Sequence, residues 1–493
     1  MNRRIYIYNG QILIDPENSL FASSILITNG LVTSIDGTEP SEAQKIDLKG
    51  GFAMPGLVDS HIHLILASSG QGEVNFSGCR SKADFINLAR NLYEHSSQSW
   101  LVGYGWSIDN LNELPNSSWI DFIVDKPVVF YSNDFHSALL NKALLSQLDL
   151  NEIQSMPGGE AIRNGIVKDD ALFNCILPLI PELITSKKIL ATLNGIQYLH
   201  SKGITSVGTM ESLAELNEVL LPIQDKNLIR CRVMLLDEPT DSTLKLLNEF
   251  QNTDFLDVTG FKSFIDGSLG SRTAKMYRSW CDAEGAGEWA GHKSRGELDD
   301  WVKRVSSLNY SPIIHAIGDE GVGEALRVLR DNAQHLFGRI EHAQFIDQED
   351  IDKISGQWFG VQPLHLIDDI PIAKTAVEES KASEMLNFRR MLDSGALLSF
   401  GSDWPVAPPN ALEAIQIAVL NGLTVQEALM ASTINGGKSL QSNNIGHLNI
   451  GAYGDVVLLD TSPFECNWNN DIPVVKMTIV GGKIVHTPIQ NDE

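Results

Sequence analysis

Pro55-Gly56-Leu57-Val58-Asp59-Ser60-His61-Ile62-His63 is an apolar run that closes on two histidines spaced i, i+2. Alternate side chains of a β-strand share a face, so His61 and His63 project together into one cavity at the strand's C-terminal end. Two imidazoles set this way can grip one metal ion, whereas on a half-exposed strand the same pair is two surface histidines. The rest of the chain bears on that choice. Short apolar runs followed by helical stretches recur at 204–208, 231–236, 259–265, 313–315, 339–342, 359–362 and 397–401. Together with 57–63 they make eight βα units, the number of a TIM-type (β/α)8 barrel of the α/β class.

About 140 residues separate the first run from the second, too many for one βα unit. Residues 70–185 are therefore expected to form an insertion over the barrel mouth, after the first barrel strand, with the barrel itself at 55–69 and 186–446. The ends of the chain alternate in the β manner, at 5–8, 10–14 and 24–28 and again at 455–459, 474–480 and 483–486. Asn9-Gly10, Asn29-Gly30 and Gly481-Gly482 read as turns between those strands. A composite β-sandwich is expected from 1–54 and 447–493.

Composition excludes several classes. Of 493 residues 43% are hydrophobic and 20% charged, an ordinary globular balance. The net charge of −25 repels nucleic-acid phosphates and anionic lipid, so no nucleic-acid or membrane partner is expected. Met1-Asn2-Arg3-Arg4-Ile5-Tyr6 carries charge with no apolar run after it, which points to the cytoplasm. Cys79, Cys175, Cys231, Cys281 and Cys466 include no CxxC pair and are expected as reduced thiols.

Other polar residues fall at strand ends, where barrel enzymes place their working groups. His315 closes the fifth strand, His342 the sixth, and Asp403 follows the eighth in Gly401-Ser402-Asp403-Trp404-Pro405. Lys262 lies inside the apolar fourth strand, costly there unless neutralised or paired. Singly, a strand-end histidine is a hydrogen-bonded structural residue and an aspartate after Gly-Ser is a turn or cap. Jointly, four His, one Lys and one Asp on five strands read as one site.

These residues sit in motifs that resemble the amidohydrolase superfamily, and within it the YtcJ-like branch that includes N-substituted formamide deformylases. The motifs are Pro55 to His63, Lys262 with Asp266-Gly267-Ser268-Leu269-Gly270-Ser271-Arg272-Thr273-Ala274, His315-Ala316-Ile317-Gly318-Asp319, Arg339 to Gln344, Gln362-Pro363-Leu364-His365 and Gly401 to Val406. The resemblance spans nearly the whole chain. It implies a metal-dependent barrel in which His61, His63 and Asp403 hold one divalent ion and His315 and His342 a second, one or two ions in all. Lys262 would bridge them as a carbamate. Imidazole and oxygen donors without thiolate suit Zn²⁺, with Mn²⁺, Co²⁺ or Fe²⁺ able to use the same set. The implied activity is hydrolysis of a C–N, non-peptide bond in a small-molecule amide, with Asp403 as proton shuttle.

Three further residues are candidates. His365 either donates to a substrate oxyanion or is a loop histidine. Arg272 either holds a substrate carboxylate or braces its loop. His136, in Asn133-Asp134-Phe135-His136-Ser137, resembles a family stretch that would reach the site from the insertion. Gly105-Trp106-Ser107, Gly208-Thr209-Met210 and Asp169 depart from the family pattern and bear on substrate identity. Trp100, Tyr104 and Trp106 either line a cleft or pack the insertion. Competing readings are a decarboxylase or isomerase on the same barrel and a catalytically silent binding or regulatory protein; a homodimer is the expected assembly.

Overall fold

The computed structural model describes residues 3–70, 74–181, 183–333 and 338–488, so Met1 and Asn2 of the N-terminal motif lie outside it. The eight expected runs are strands: Leu57–Ile62, Ile204–Glu211, Arg230–Leu235, Leu256–Phe264, Ser311–Ala316, Arg339–His342, Trp358–Val361 and Leu397–Phe400. Each pairs in parallel with the next in chain order, giving one eight-stranded sheet. All but a few of their residues are buried, because the sheet is covered on both faces and alternation gives way to continuous apolar runs.

The first and last strands meet beyond their C-terminal ends. Ile62 bridges Trp404 in parallel, the Asp403 amide donates to the His61 carbonyl at 2.7 Å, and the His63 amide to the Trp404 carbonyl at 2.9 Å. Asp59 adds a side-chain clasp, accepting from the Ser402 amide at 2.9 Å and the Ser402 hydroxyl at 2.6 Å. Gly401 permits this approach, since a Cβ there would stand 2.6 Å from the Cβ of His61. The barrel thus closes at the level of the histidine pair.

Strands from both ends of the chain join one second sheet of eight, in which Val456–Leu459 pairs antiparallel with Phe52–Pro55. Ile5, Ile7, Ile12, Ile25, Ile27, Val456 and Ile479 form its core. One expectation is corrected. Asn9-Gly10 is not a turn between two strands but a bulge within one, Arg4–Asp15, both halves of which pair with Leu20–Thr28. The bulge changes the strand's other neighbour, from Gln44–Asp47 to Phe52–Pro55. Asn29-Gly30 and Gly481-Gly482 do make two-residue hairpin turns, each with both residues at positive φ.

Between the first two barrel strands lies a third sheet, ordered Ile166–Lys168, Ser137–Leu140, Val128–Ser132, Leu101–Trp106 and Val74–Asn75. The hairpin joining Val128–Ser132 to Ser137–Leu140 carries residues 133–136 into the barrel mouth. Trp106 is buried in this unit, its indole N–H donating to the Phe130 carbonyl at 2.6 Å, while Trp100 packs against the separate apolar cluster that holds Val129, Tyr131 and Leu140. Tyr104 stacks on Phe135, 5.7 Å between ring centres.

Candidate metal centre

A cavity of about 550 Å³ opens at the C-terminal end of the barrel, lined by His61, His63, His136, Lys262, His315, His342, His365 and Asp403. His61 and His63 leave the first strand on one face. The Nε2 atoms of His61 and His63 lie 3.3 and 3.5 Å from Oδ1 of Asp403. These three donors fall within 4.8 Å of one another. Asp403 and His342 adopt left-handed backbone, φ +58° and +70°, where the chain turns sharply off its strand. Such conformations cost non-glycine residues about 1–3 kcal/mol and concentrate at working sites.

Hydrogen bonds select the tautomers. Buried Glu341 accepts from Nδ1 of His61, which leaves Nε2 facing Asp403. Although burial acts to lower this imidazole, Glu341 and Asp403 raise it, so a cation there would take the place of the Nε2 proton. His342 donates from Nδ1 to Oε1 of Gln362 at 3.0 Å, freeing its Nε2. This is the outer-shell carboxylate or amide partner that holds a ligating histidine in place. Glu341 is in turn held by Arg339 on the same strand, and both are fully buried. Arg339 also donates to the Ser60 carbonyl at 2.9 Å.

Electrostatics keep the donors in usable states. Burial would raise Asp403, but His61, His63 and His342 hold it well below the usual carboxylate range. Burial, and in each case a neighbouring histidine, push His315 and His342 well below the usual imidazole range, so both are neutral. Burial lowers Lys262 to about 8 against the attraction of Glu341 and Asp403. An amine so shifted is still mostly protonated at neutral pH but gives up its proton far more readily than an ordinary lysine.

The remaining candidates separate. His342 and His365 also come within 4.8 Å of Asp403 as a donor group. His315 stands close, 4.5 Å from His342 between ring centres, but its Nε2 donates to the Gly267 carbonyl at 2.9 Å, which leaves Nδ1 as its free donor. His365 opens the helix His365–Ala376, and its buried Nε2 has no hydrogen-bond partner among the described residues. His136 does reach the cavity from the insertion, 5.1 Å from the ring of His315, with Nδ1 donating to Asp169 at 2.7 Å. Arg272 is not in the cavity wall. Its guanidinium is spent on Asp282, Asp109 and the carbonyls of Leu269 and Gly270, a loop brace.

Sequence reasoning did not single out Glu341, Arg339 or Asp59. A signal existed for the first two: two charged residues at i, i+2 in an apolar parallel strand share a face and must find partners there.

The amidohydrolase family model matches residues 44–486. The chain belongs to the amidohydrolase family. Across 97% of its length this amidohydrolase is 28% identical to Protein LONG AFTER FAR-RED 3 of Arabidopsis thaliana, covering 91% of that protein. It is 25% identical to the putative amidohydrolase YtcJ of Bacillus subtilis over 90% of this chain and 91% of that one. It is 22% identical to the N-substituted formamide deformylase of Arthrobacter pascens, covering 94% of each. An uncharacterized metal-dependent hydrolase from Pyrococcus horikoshii shares the fold, with a TM-score of 0.76 at 24% identity over 95% of this chain and 99% of that one.

Proposed function

We propose that this amidohydrolase is a metal-dependent enzyme that hydrolyses the C–N bond of a small, non-peptide amide: an N-formyl or N-acyl amine or a cyclic amide. The observation that carries the reading is the His61, His63 and Asp403 cluster at the C-terminal mouth of the barrel, with an outer acceptor already fixing His61. The donor chemistry fits a divalent ion, two imidazole nitrogens and a carboxylate with no thiolate, and Zn²⁺ best. The relationship to the formamide deformylase supports the bond class.

His61, His63 and Asp403 would hold one ion, and His342, with His315 or His365, a second. A bound divalent ion supplies Lewis acidity and lowers the pKa of water toward about 7. Lys262 is buried and its amine, lowered to about 8, loses its proton far more readily than an ordinary lysine, as carbamate formation with CO₂ requires, and as a carbamate it would face both histidine groups. Asp403 is ionised and central, so it accepts the proton of the attacking water and returns it to the leaving nitrogen. His136 and His365 border the space where the carbonyl oxygen develops charge, and each can donate to it.

The test is turnover by mass spectrometry of a panel of N-formyl amines, N-acyl amines, cyclic amides and lactones, with zinc-loaded wild type beside Asp403→Asn. Gain of one water, lost in the variant while its fold is kept, is the expected result. Wild-type turnover in Asp403→Asn removes the shuttle role. Silence of a zinc-loaded wild type across the panel refutes the bond class and brings forward the lyase and isomerase alternatives.

A further inference from the structure

The cavity carries carboxylates that the proposed reaction does not use. Asp134, Asp170, Glu238, Asp368 and Asp369 line it together with Asp403, against the two cations Lys262 and Arg295. Arg295 is already paired, with Glu297 at 2.8 Å and Glu238 at 3.5 Å. Asp134 is satisfied by the hydroxyls of Ser268 at 2.6 Å and Ser271 at 3.0 Å. Neither Asp368 nor Asp369 forms an ion pair with a basic side chain among the described residues, and Arg272, the nearby cation on the loop after the fourth strand, is consumed by Asp109 and Asp282.

Asp369 is set apart by its surroundings. It stands four residues after His365 on the helix His365–Ala376, so the two project from one face about one turn, ~5.4 Å, apart. Gln344, 4% exposed, donates its Nε2 to Oδ2 of Asp369 at 2.6 Å, while its own Oε1 is buried with no hydrogen-bond partner among the described residues. A buried acceptor without a donor costs roughly 1–3 kcal/mol unless a ligand supplies the donor. Burial pushes the Asp369 carboxyl up to about 7, the Gln344 amide opposes that, and Asp134, Asp368 and Asp109 add to it. A positive N–H group beside these atoms relieves both the charge repulsion and the missing hydrogen bond. The same cavity is also lined by the apolar side chains Phe173, Leu177, Leu269 and Ile317.

We propose that Asp369 and Gln344 form a subsite for an ammonium group of the substrate, so that the amide cleaved carries a protonated amine roughly five single bonds from its scissile carbonyl carbon. Asp369 takes the charge and Gln344 Oε1 takes a second N–H. The subsite rests on the amide-hydrolase reading for its substrate, and it selects within that class: acylated diamines over neutral amides, and both over acylated amino acids, whose carboxylate meets only like charge here.

The experiment uses zinc-loaded full-length enzyme and three N-formyl amines of matched length: mono-formyl 1,3-diaminopropane, N-formylbutylamine and N-formyl-β-alanine. The expected kcat/KM order is diamine, neutral, carboxylate, with at least a tenfold first step that falls to about one in Asp369→Asn. Gln344→Leu, which keeps the carboxylate, shows a partial loss of the same ratio and serves if Asp369→Asn does not fold. A readout independent of turnover is the thermal shift given by 1,3-diaminopropane against 1-propanol, expected in wild type and absent in Asp369→Asn. Equal kcat/KM for diamine and neutral substrates, or preference for the carboxylate, overturns the subsite and leaves the hydrolase reading standing. No hydrolysis of these members or of the wider amide panel, with a diamine shift that Asp369→Asn abolishes, keeps the subsite and overturns the hydrolase reading. Neither hydrolysis nor shift overturns both.

Discussion

Glu341→Gln tests whether the histidine pair is held in a ligating state by its buried neighbours. Glu341 accepts from His61 Nδ1 with one oxygen and from Arg339 Nε with the other, and neither Glu341 nor Arg339 has solvent contact. The ion pair and the His61 contact hold Glu341 at about 2 although burial acts to raise it. Glutamine has the same shape but one acceptor and one donor. Arg339 is always charged and takes the amide oxygen, so the NH₂ group faces His61 Nδ1 and requires a lone pair there. The imidazole proton then moves to Nε2, the atom 3.3 Å from Asp403, and that nitrogen can no longer hold a cation. Losing such an outer partner lowers metal affinity about 10–100-fold, or ~1.4–2.7 kcal/mol. Separately, Arg339 loses its counter-charge, which destabilises the fold by about 3–5 kcal/mol. Zinc affinity is measured by chelator competition on folded protein and stability by thermal unfolding in excess chelator, so the two effects are read apart. The double variant Arg339→Met/Glu341→Gln recovers most of the stability and, because the amide oxygen is then free to accept from His61 Nδ1, much of the affinity as well. Wild-type zinc affinity in folded Glu341→Gln refutes the tautomer argument.

The barrel seam and the domain junction give three other expected outcomes. Ser402→Ala removes the hydroxyl 2.6 Å from Asp59, a carboxyl that burial has already pushed up to about 6, and should cost roughly 1–3 kcal/mol in chelator-treated thermal unfolding; an unchanged Tm removes the clasp. Gly401→Ala places a Cβ 2.6 Å from the His61 Cβ and 2.7 Å from the His61 amide nitrogen, so the first strand must shift and zinc affinity falls; wild-type affinity contradicts closure at this level. Burial lowers His200 from 6.5 to about 4 while its Nε2 donates to the Leu228 carbonyl at 2.9 Å. The unfolded chain takes up the proton first, so this contribution is complete above pH 6.5 and is lost as pH falls toward 4, on the order of 3 kcal/mol. Thermal unfolding of His200→Gln against pH should lack that acid limb, and an identical limb counts against it.

Much of the architecture was legible in the residues because it obeys local rules. Strands buried on both faces must be apolar throughout, and their eightfold recurrence marked the barrel before any contact was known. His61 and His63 were readable as a pair because strand geometry alone puts i and i+2 on one face. Asn9-Gly10 misled because the dipeptide specifies a positive φ at Asn9 and leaves the path of the chain beyond it open. A hairpin reversal and a bulge both use that φ, and the choice lay with Leu20–Thr28, which pairs with the strand on either side. Arg272 was undecided for a similar reason. Its charge was visible, but the carboxylates that occupy it lie 163 and 10 residues away.

The sequence by itself determined the strands, the positions of the histidines and Asp403 at their ends, and the family to which they belong. The tertiary structure decided which atoms face one another. It turned Nε2 of His61 toward Asp403 through Glu341, occupied His315 Nε2 with the Gly267 carbonyl, brought His365 beside His342 and Asp403, and left Asp369 and Gln344 without a cation. Those outcomes depend on partners up to 280 residues apart, whose meeting is set by barrel closure and burial and not by any local pattern.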